Sequence, residues 1–319
     1  MITILVTGAS GIVGYGILKT LRQSGRDFKL VGSTIHESSV ASAFCDVLEI
    51  APFTGDEQYY PWLIDVVNKH GIDIMIPGIE IDMHSWSANR ELFRESVDFV
   101  LNVRSLVELC RDKWEFFLDL AQRSEPCIIP TFSKGRFDEL ADKCGLPFLL
   151  KPKQGYGSKG IIKVNAQEVF QLHGSRLGSE LIAQPIVGTD HEEFSISCFG
   201  DGKGGFFNIF SLRRKLGAAG FTEWAEVVDD QPFFETVSRL CSYYLPLGPT
   251  NFQFRTQNGD LKLLEINPRI SSATSIRAAF GYNEALMSVD YFLNSICPSI
   301  PKTLRGSAIR YLEDHIIRK

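Results

Sequence analysis

The sequence lacks the features that mark several classes of protein. No apolar run approaches the ~20 residues that a helix needs to cross a bilayer. The first apolar run, residues 2–6, is only strand-length and leads into Gly8, so no signal peptide is expected. The formal net charge is −5, and a general nucleic-acid binder would carry a basic face instead. We therefore expect neither a membrane segment nor a nucleic-acid partner.

The cysteines form no recognisable framework. They are scattered and odd in number, and none belongs to a CxxC pair, which disfavours a disulfide scaffold and a zinc knuckle. A reducing cytoplasm is therefore the expected location. The seven cysteines are Cys45, Cys110, Cys127, Cys144, Cys198, Cys241 and Cys297.

The first third of the chain alternates between short apolar runs and helical periodicity. Strand-like runs occupy residues 2–8, 28–34, 45–52 and 72–78, and amphipathic segments follow several of them. Alternation of this kind predicts a parallel sheet with crossover helices. We therefore predict an open, Rossmann-like α/β domain over residues 1–103.

The pattern changes after this region. Residues 104–123 are predicted to form one amphipathic helix, and strand-like segments with few helices between them come next. This pattern is typical of an α+β region with much antiparallel sheet. The turn residues 258–260, Asn-Gly-Asp, predict a hairpin between the last two strong strand candidates.

A glycine-rich loop carries the strongest chemical signal. Residues 149–164 read LLKPKQGYGSKGIIKV, so a strand leads from Lys151 into a loop with Gly155, Gly157 and Gly160. The amides of such a loop can wrap a polyphosphate, and its lysines supply compensating charge. It is not a Walker loop, because the GxxxxGK[ST] spacing and the following helix are missing. A plain glycine-rich hairpin is the alternative interpretation.

Oxygen ligands cluster in the predicted hairpin. Glu265 and Asn267 are two residues apart on one strand and therefore face the same side. Counting back across the turn places Gln253 near Glu265, and Arg269 follows on the same side. Carboxylate and amide oxygens suit Mg²⁺, and an arginine suits a phosphoryl group or an acidic substrate. A structural ion pair is the alternative for a single buried Glu.

In combination, these motifs resemble those of the ATP-grasp enzymes, in particular the synthetase domains of carbamoyl-phosphate synthase large chains. Asp112-Lys113 resembles the DK before the small subdomain, and residues 151–160 resemble the KPxxGxGSxG element. Residues 184–187 resemble the hinge strand that brackets the adenine. The motifs occur in the same order as in the family, over about residues 104–294. The resemblance implies a pre-ATP-grasp α/β domain at 1–103, a small subdomain at 104–187 and a large subdomain at 188–319.

The resemblance also implies a role for each matching residue. Lys151 and Arg269 are the candidate catalytic residues. The candidate ligands of Mg²⁺, or of Mn²⁺ in its place, are Gln253, Glu265 and Asn267. The candidate ATP-binding residues are Lys113, Lys151, Lys153, Gly155, Gly157, Ser158, Gly160, Gln184, Ile186, Val187 and Glu193. Candidates for substrate contacts are Ser10, Gly11, Glu80, Arg213 and Ser271.

The activity that the resemblance implies is ADP-forming ligation. ATP would phosphorylate a carboxylate to an acyl phosphate, and an amine or another nucleophile would displace phosphate. Such a site needs metal ions and positioned cations rather than a protein nucleophile, in keeping with six isolated histidines and no Ser-His-Asp arrangement. The expected partners are small-molecule carboxylate and amine substrates, and a homodimer is compatible with the family.

Two departures from the family pattern leave residue roles open. Four residues separate Gly188 from Glu193, so Glu192 is an alternative ribose ligand. The segment after Arg269 has Ser271 and Ser272 where the family often has glycines, which suggests an unusual acceptor pocket.

A basic run leaves a further role open. Residues 213–215 read Arg-Arg-Lys, and one unspecified member is expected to contact phosphate or the acceptor. A solvated strand end is the alternative, because most charge runs are solvated.

Two other function classes remain open. Residues 8–14, GASGIVG, allow an NAD(P)-dependent oxidoreductase, although neither an acidic residue nor an arginine ends the second strand. In the ligase interpretation, this turn binds part of the substrate instead. The remaining alternative is a non-catalytic nucleotide-binding protein.

Overall fold

The structure is a computed structural model that describes residues 1–93, 97–155, 159–218 and 220–316. Two of the predicted ATP-binding residues, Gly157 and Ser158, lie outside the described residues. Within the described part of the chain, no helix is both long and apolar enough to cross a membrane.

The N-terminal region folds as the strand–helix alternation predicts. Its elements are β1 (Ile2–Val6), α1 (Ile12–Arg22), β2 (Phe28–Thr34), β3 (Val47–Ile50), α2 (Tyr59–His70), β4 (Ile74–Ile76), α3 (Glu80–Ala88) and β5 (Asp98–Phe99). Short 3₁₀ turns lie at Val40–Ala43 and Arg90–Leu92. The five strands are parallel in the order β3-β2-β1-β4-β5. Ligands of such sheets bind at the carboxyl ends of the strands.

The single helix predicted over residues 104–123 is wrong. The structure has two helices, α4 (Arg104–Leu109) and α5 (Lys113–Gln122). Asp112 between them is extended, and its carboxylate accepts hydrogen bonds from the amides of Trp114 and Glu115 at 2.8 and 3.3 Å. An aspartate that caps a new helix competes with continuation of the previous one, which amphipathic periodicity alone does not reveal.

A small antiparallel sheet carries the glycine-rich loop. Its strands are β6 (Phe148–Pro152), β7 (Ile162–Val164) and β8 (Leu181–Pro185), in the order β7-β6-β8. Two helices, α6 (Phe137–Cys144) and α7 (Gln167–His173), accompany it, and a 3₁₀ turn lies at Gly174–Arg176. Phe148, Leu150 and Val164 are fully buried in a core of their own. This separate core fits a small subdomain, and its exact bounds stay a prediction.

The rest of the chain builds a larger antiparallel sheet. Its elements are β9 (Glu193–Asp201), β10 (Phe206–Leu216), β11 (Thr222–Val227), α8 (Gln231–Tyr244), β12 (Leu247–Gln257), β13 (Asp260–Asn267), α9 (Thr274–Ala279), α10 (Glu284–Asn294) and β14 (Ser307–Ile309). The strand order is β13-β12-β9-β10-β11-β14. Asn258 and Gly259 join β12 to β13 with φ of 54° and 86°, as the hairpin prediction requires.

The C-terminal helices belong to the N-terminal core as well as to the larger sheet. Ala285 and Val289 of α10 lie in one buried cluster with Ile4 and Ile17 of the parallel sheet and its first helix. The two regions are therefore packed directly against each other.

A buried ion pair anchors α9 and α10 to the larger sheet. Arg277 and Glu284 are fully buried and 3.1 Å apart. Arg277 also donates to Asn251 Oδ1 at 2.7 Å and to Ser271 Oγ at 2.6 Å, while Glu284 accepts from Ser197 at 2.5 Å. Because the charges are paired and hydrogen-bonded, their burial is tolerated.

We expect Glu284→Gln to destabilise the protein strongly. The substitution keeps the shape of the side chain but leaves the Arg277 charge buried without a counter-charge, at a cost of about 3–5 kcal/mol. Thermal and urea unfolding followed by circular dichroism measure the effect. Glu108→Gln, in the exposed pair with Arg104, is the matched control and should cost far less, because solvent screens an exposed pair. Equal effects of the two substitutions would contradict the role of the buried pair.

Candidate active site

A cleft of about 410 Å³ lies between the small sheet, the larger sheet and the N-terminal region. All three parts contribute to its walls: Lys151 from β6, Glu265 from β13, and Ile12 and Val13 from α1. The predicted residues that line it are Lys113, Lys151, Gly155, Ile186, Val187, Glu193, Gln253, Glu265, Asn267, Arg269, Glu80 and Ser271. Residues far apart in the sequence are therefore brought to one site.

The candidate metal ligands lie on neighbouring strands, as the hairpin count predicts. Gln253 pairs directly with Glu265 in the β12–β13 ladder. The amide nitrogen of Asn267 donates to Glu265 Oε1 at 3.0 Å, and its oxygen accepts from Arg269 at 3.1 Å. These contacts hold one carboxylate and two amide groups on a single face of the sheet.

This oxygen set fits Mg²⁺ that is bound together with phosphates. Among the described residues, no group of three or more His, Cys, Asp or Glu side chains is placed to hold a metal ion. Mg²⁺, however, is commonly held by only one or two carboxylates, with substrate phosphates and waters as its other ligands. The set of Gln253, Glu265 and Asn267 meets that requirement.

Two lysines enter the cleft from different elements. The amide of Lys113 donates to Lys153 O at 2.8 Å, and its ammonium donates to Gly155 O at 2.9 Å, so the start of α5 is fastened to the glycine-rich loop. Burial lowers the pKa of Lys151 to about 8, Glu265 counteracts the shift, and Lys113 adds to it. Both lysines line the cleft, together with Gly155 at the start of the glycine-rich loop.

Glu193 is held between two arginines. Its Oε1 accepts from Arg214 at 2.9 Å and its Oε2 accepts from Arg255 at 2.9 Å, and Glu193 and Arg214 are buried. Glu192, the alternative ribose candidate, is exposed and contacts Thr189. Of the two glutamates, only Glu193 lines the cleft within the described residues.

Strand alternation separates the basic run. Arg214 faces the cleft and donates to Gln253 Oε1 at 2.7 Å. Arg213 points to the other face of β10, where it pairs with Glu226 at 2.5 Å and lies over the Trp224 ring. The structure therefore places the predicted substrate candidate Arg213 away from the cleft, and its neighbour Arg214 in it.

Some predicted ligands do not line the cleft. Lys153 donates to Gly178 O at 3.2 Å, and Gln184 donates to Thr131 at 2.7 Å beside a smaller cavity of about 50 Å³. Gly160, with φ of 74°, packs near Pro152. Their predicted roles in ATP binding remain predictions.

The GASGIVG turn has a packing reason for its glycines. Gly8 has φ of 57°, and a Cβ there would lie 2.4 Å from Ile79. A Cβ on Gly14 would lie 2.4 Å from Gly8 O. Ser10 contacts Thr34 and Ser39 through its hydroxyl at 2.5 and 2.8 Å rather than the cleft. Gly11 begins α1 without a side-chain cap, and the next two residues reach the cleft.

Arg255 is a site residue that sequence reasoning missed. It pairs with Asp190 and Glu193 and donates to Val187 O at 3.5 Å, so it ties the hinge segment to β12. The spacing in the sequence could have identified it, because Arg255 is two residues after Gln253 and therefore faces the same side of the strand.

Comparisons with known proteins identify chains that this one resembles. Residues 180–315 match the family described as "ATP-grasp in the biosynthetic pathway with Ter operon". The carbamoyl phosphate synthase large chains of Methanosarcina mazei and Methanosarcina barkeri are each 22% identical over 80% of this chain. This chain spans only 23% of their length.

Solved structures share the fold over nearly the whole chain. The N5-carboxyaminoimidazole synthetase from Staphylococcus aureus, complexed with ADP, has a TM-score of 0.71 at 16% identity, with 95% of this chain and 80% of that chain covered. An L-amino acid ligase from Bacillus licheniformis has a TM-score of 0.64 at 15% identity, over 92% of this chain and 74% of that chain. The chain therefore shares the fold of these structures, and its part that matches the ATP-grasp family model follows the parallel α/β region, as the resemblance implies.

We expect nucleotide binding to take up a proton near pH 8. Lys151 has a pKa of about 8, so a polyphosphate that prefers the charged ammonium raises this pKa and draws in up to about half a proton at pH 8. The affinity should fall as the pH rises further, since the neutral amine then dominates. Calorimetry of MgADP in buffers with different ionisation enthalpies measures the uptake.

Lys151→Arg is the control for this titration. A guanidinium stays charged at pH 8, so the proton uptake should disappear while binding persists. Lys151→Ala should instead weaken nucleotide binding. Equal proton uptake in the wild type and Lys151→Arg would contradict the assignment.

Proposed function

We propose that this protein, which carries an ATP-grasp domain, is an ATP-dependent, ADP-forming ligase. It joins a carboxylate to an amine or another nucleophile through an acyl phosphate. The observation that supports this most is that one cleft holds Gln253, Glu265 and Asn267 together with Lys113 and Lys151. Phosphoryl transfer from a nucleotide requires oxygen ligands for metal ions beside positively charged side chains that neutralise the phosphates.

The protein's own groups would position the nucleotide. Lys113 and Lys151 would neutralise its phosphates, and the hinge residues Ile186 and Val187 would flank the base. Gln253, Glu265 and Asn267 would hold Mg²⁺, or Mn²⁺ in its place. When bound, the metal would offset the negative charge on the phosphate oxygens.

Arginines would guide the chemical steps. A carboxylate oxygen of the first substrate attacks the γ-phosphorus, the bond to the β-phosphate oxygen breaks, and ADP leaves. The nucleophile then attacks the acyl carbon, phosphate departs, and an amine loses one proton. Arg269 and Arg214 line the cleft where this charge develops, so we assign them to the transferring phosphoryl group.

The N-terminal region would complete the acceptor side. Glu80 at the start of α3 lines the cleft and contacts Arg269, and the first turn of α1 contributes Ile12 and Val13. We assign the carboxylate and amine pockets to this side, with Ser271 in their wall. Neither nucleic acid nor a membrane is a partner in this proposal, and the cytoplasmic location and the homodimer remain predictions.

The alternatives have less support. Tyr15 and Lys19, whose spacing matches a dehydrogenase pair, both lie on α1, and none of the relatives described above is named as an oxidoreductase. A non-catalytic protein would have little reason to keep Lys113, Lys151, Glu265, Asn267 and Arg269 at one cleft.

The nucleotide preference provides the first test. A ligand that binds only the native state raises the unfolding midpoint, so MgATP and MgADP should each stabilise the protein in a thermal-shift assay, and EDTA should remove the effect. NADH and NADPH should not stabilise it. Stabilisation by NADH or NADPH alone would overturn the ligase proposal.

The metal-binding assignment makes a further prediction. Glu265→Ala removes the one carboxylate of the set, so ADP release with any productive carboxylate and amine pair should fall at least about 100-fold, with little change in fold. Glu226→Ala is the matched control, since Glu226 pairs with Arg213 on the opposite face of the sheet. Persistent turnover in Glu265→Ala would make the metal assignment wrong.

A further inference from the structure

Arg310 stands out among the charged residues near the cleft. Its guanidinium forms no ion pair with any carboxylate of the described residues, and its buried Nε has no hydrogen-bond partner there. Arg214, Arg255 and Arg269 at the cleft are each paired with a glutamate. Because its guanidinium is partly removed from water without a counter-charge, Arg310 loses hydration that its hydrogen bond to Ser272 O replaces only in part.

The strand register places Arg310 on the same face as the candidate site. Ala308 of β14 pairs with Ala225 of β11, and Ala225 pairs with Arg214 of β10. Arg310 directly follows β14, and the alternation continued from Ala308 places its side chain on the side that carries Arg214. The amide of Arg310 donates to Glu223 O at 2.8 Å, which holds the backbone of this residue beside β11.

The contacts of Arg310 locate it at one end of the cleft. Its Nη2 donates to Ser272 O, and its Cζ lies 6.0 Å from the centre of the Phe221 ring. Both Ser272 and Phe221 line the cleft, as do the first residues of α1. Burial lowers the pKa of Arg310, and the nearby Tyr15 of α1 acts in the opposite direction. Arg310 therefore contacts the end of the cleft that Ser272 and Phe221 form.

We infer that Arg310 binds an anionic oxygen group, a carboxylate or a phosphate, of the acceptor substrate. The inference rests on the proposed function, because it takes this end of the cleft to hold the acceptor. A guanidinium can bind such a group through two parallel hydrogen bonds, and the terminal nitrogens of Arg310 would form them. The acceptor is accordingly an acidic small molecule, and the C-terminal segment contributes to its selection.

Anion binding to variants of the full chain tests this inference. Malonate and inorganic phosphate, as carboxylate and phosphate probes, are titrated by calorimetry into protein saturated with MgADP. We expect Arg310→Gln to weaken the binding of at least one anion by about 10-fold or more. Arg310→Lys should retain part of the affinity. The anion that is affected shows which acidic group the site takes.

Two controls separate recognition from structural support. Arg305→Gln changes an exposed arginine on the same segment, paired with Asp229, and should alter neither anion nor MgADP affinity. MgADP affinity and the unfolding midpoint should also stay unchanged in Arg310→Gln. Loss of MgADP binding in both Arg310→Gln and Arg310→Lys would overturn the inference. Arg310 would then only hold the cleft wall at Ser272 in place.

The remaining outcomes are also decisive. If the wild type binds neither anion, or if Arg310→Gln binds both as tightly as the wild type, the inference is wrong. If the wild type does not bind MgADP, the proposed function fails instead, and the same titrations without nucleotide still test Arg310.

Discussion

The buried pair of Arg277 and Glu284 is the constraint on which the rest of the structure depends. Two full charges without water are tolerated only if each finds its partners, so the pair dictates where the surrounding elements lie. Arg277 fixes Ser271 in the cleft wall and Asn251 in the sheet, and Glu284 begins the helix that packs on the N-terminal core. One interaction thereby sets the position of Ser271 and α10 relative to the sheet that carries the candidate metal ligands.

Charge compensation organises the cleft itself. Glu193 is shared by Arg214 and Arg255, and Glu80 pairs with Arg269. At an effective dielectric constant of about 20, each contact at ~4 Å is worth about 4 kcal/mol before desolvation is subtracted. A polyphosphate would compete with the glutamates for the arginines. Binding of nucleotide and substrate would therefore exchange ion-pair partners that are already present in the cleft. The cations are thus held in place, already oriented, before any ligand arrives.

The glycine-rich turn after β1 shows that one short motif can serve either close backbone packing or ligand binding. Its glycines allow backbone to approach backbone: Gly14 packs on Gly8, and Gly8 packs on Ile79. In a dinucleotide-binding domain, the same small residues let a pyrophosphate approach the helix. Here residues 180–315 match an ATP-grasp family model, and the residues after the turn face a cleft built by three parts of the chain.

Local sequence alone determined the parallel and antiparallel regions and the hairpin turn. It also determined the side-by-side placement of Gln253, Glu265 and Asn267. Both follow because strand periodicity and turn chemistry act over a few residues. It did not determine the break at Asp112, where a side-chain cap and a contact to the glycine-rich loop outweigh helical periodicity. Only the tertiary structure decided which of Arg213 and Arg214 faces the cleft. It alone also brought Arg310 into contact with Ser272 and Phe221 of the cleft wall, since both placements depend on the register of strands that are distant in sequence.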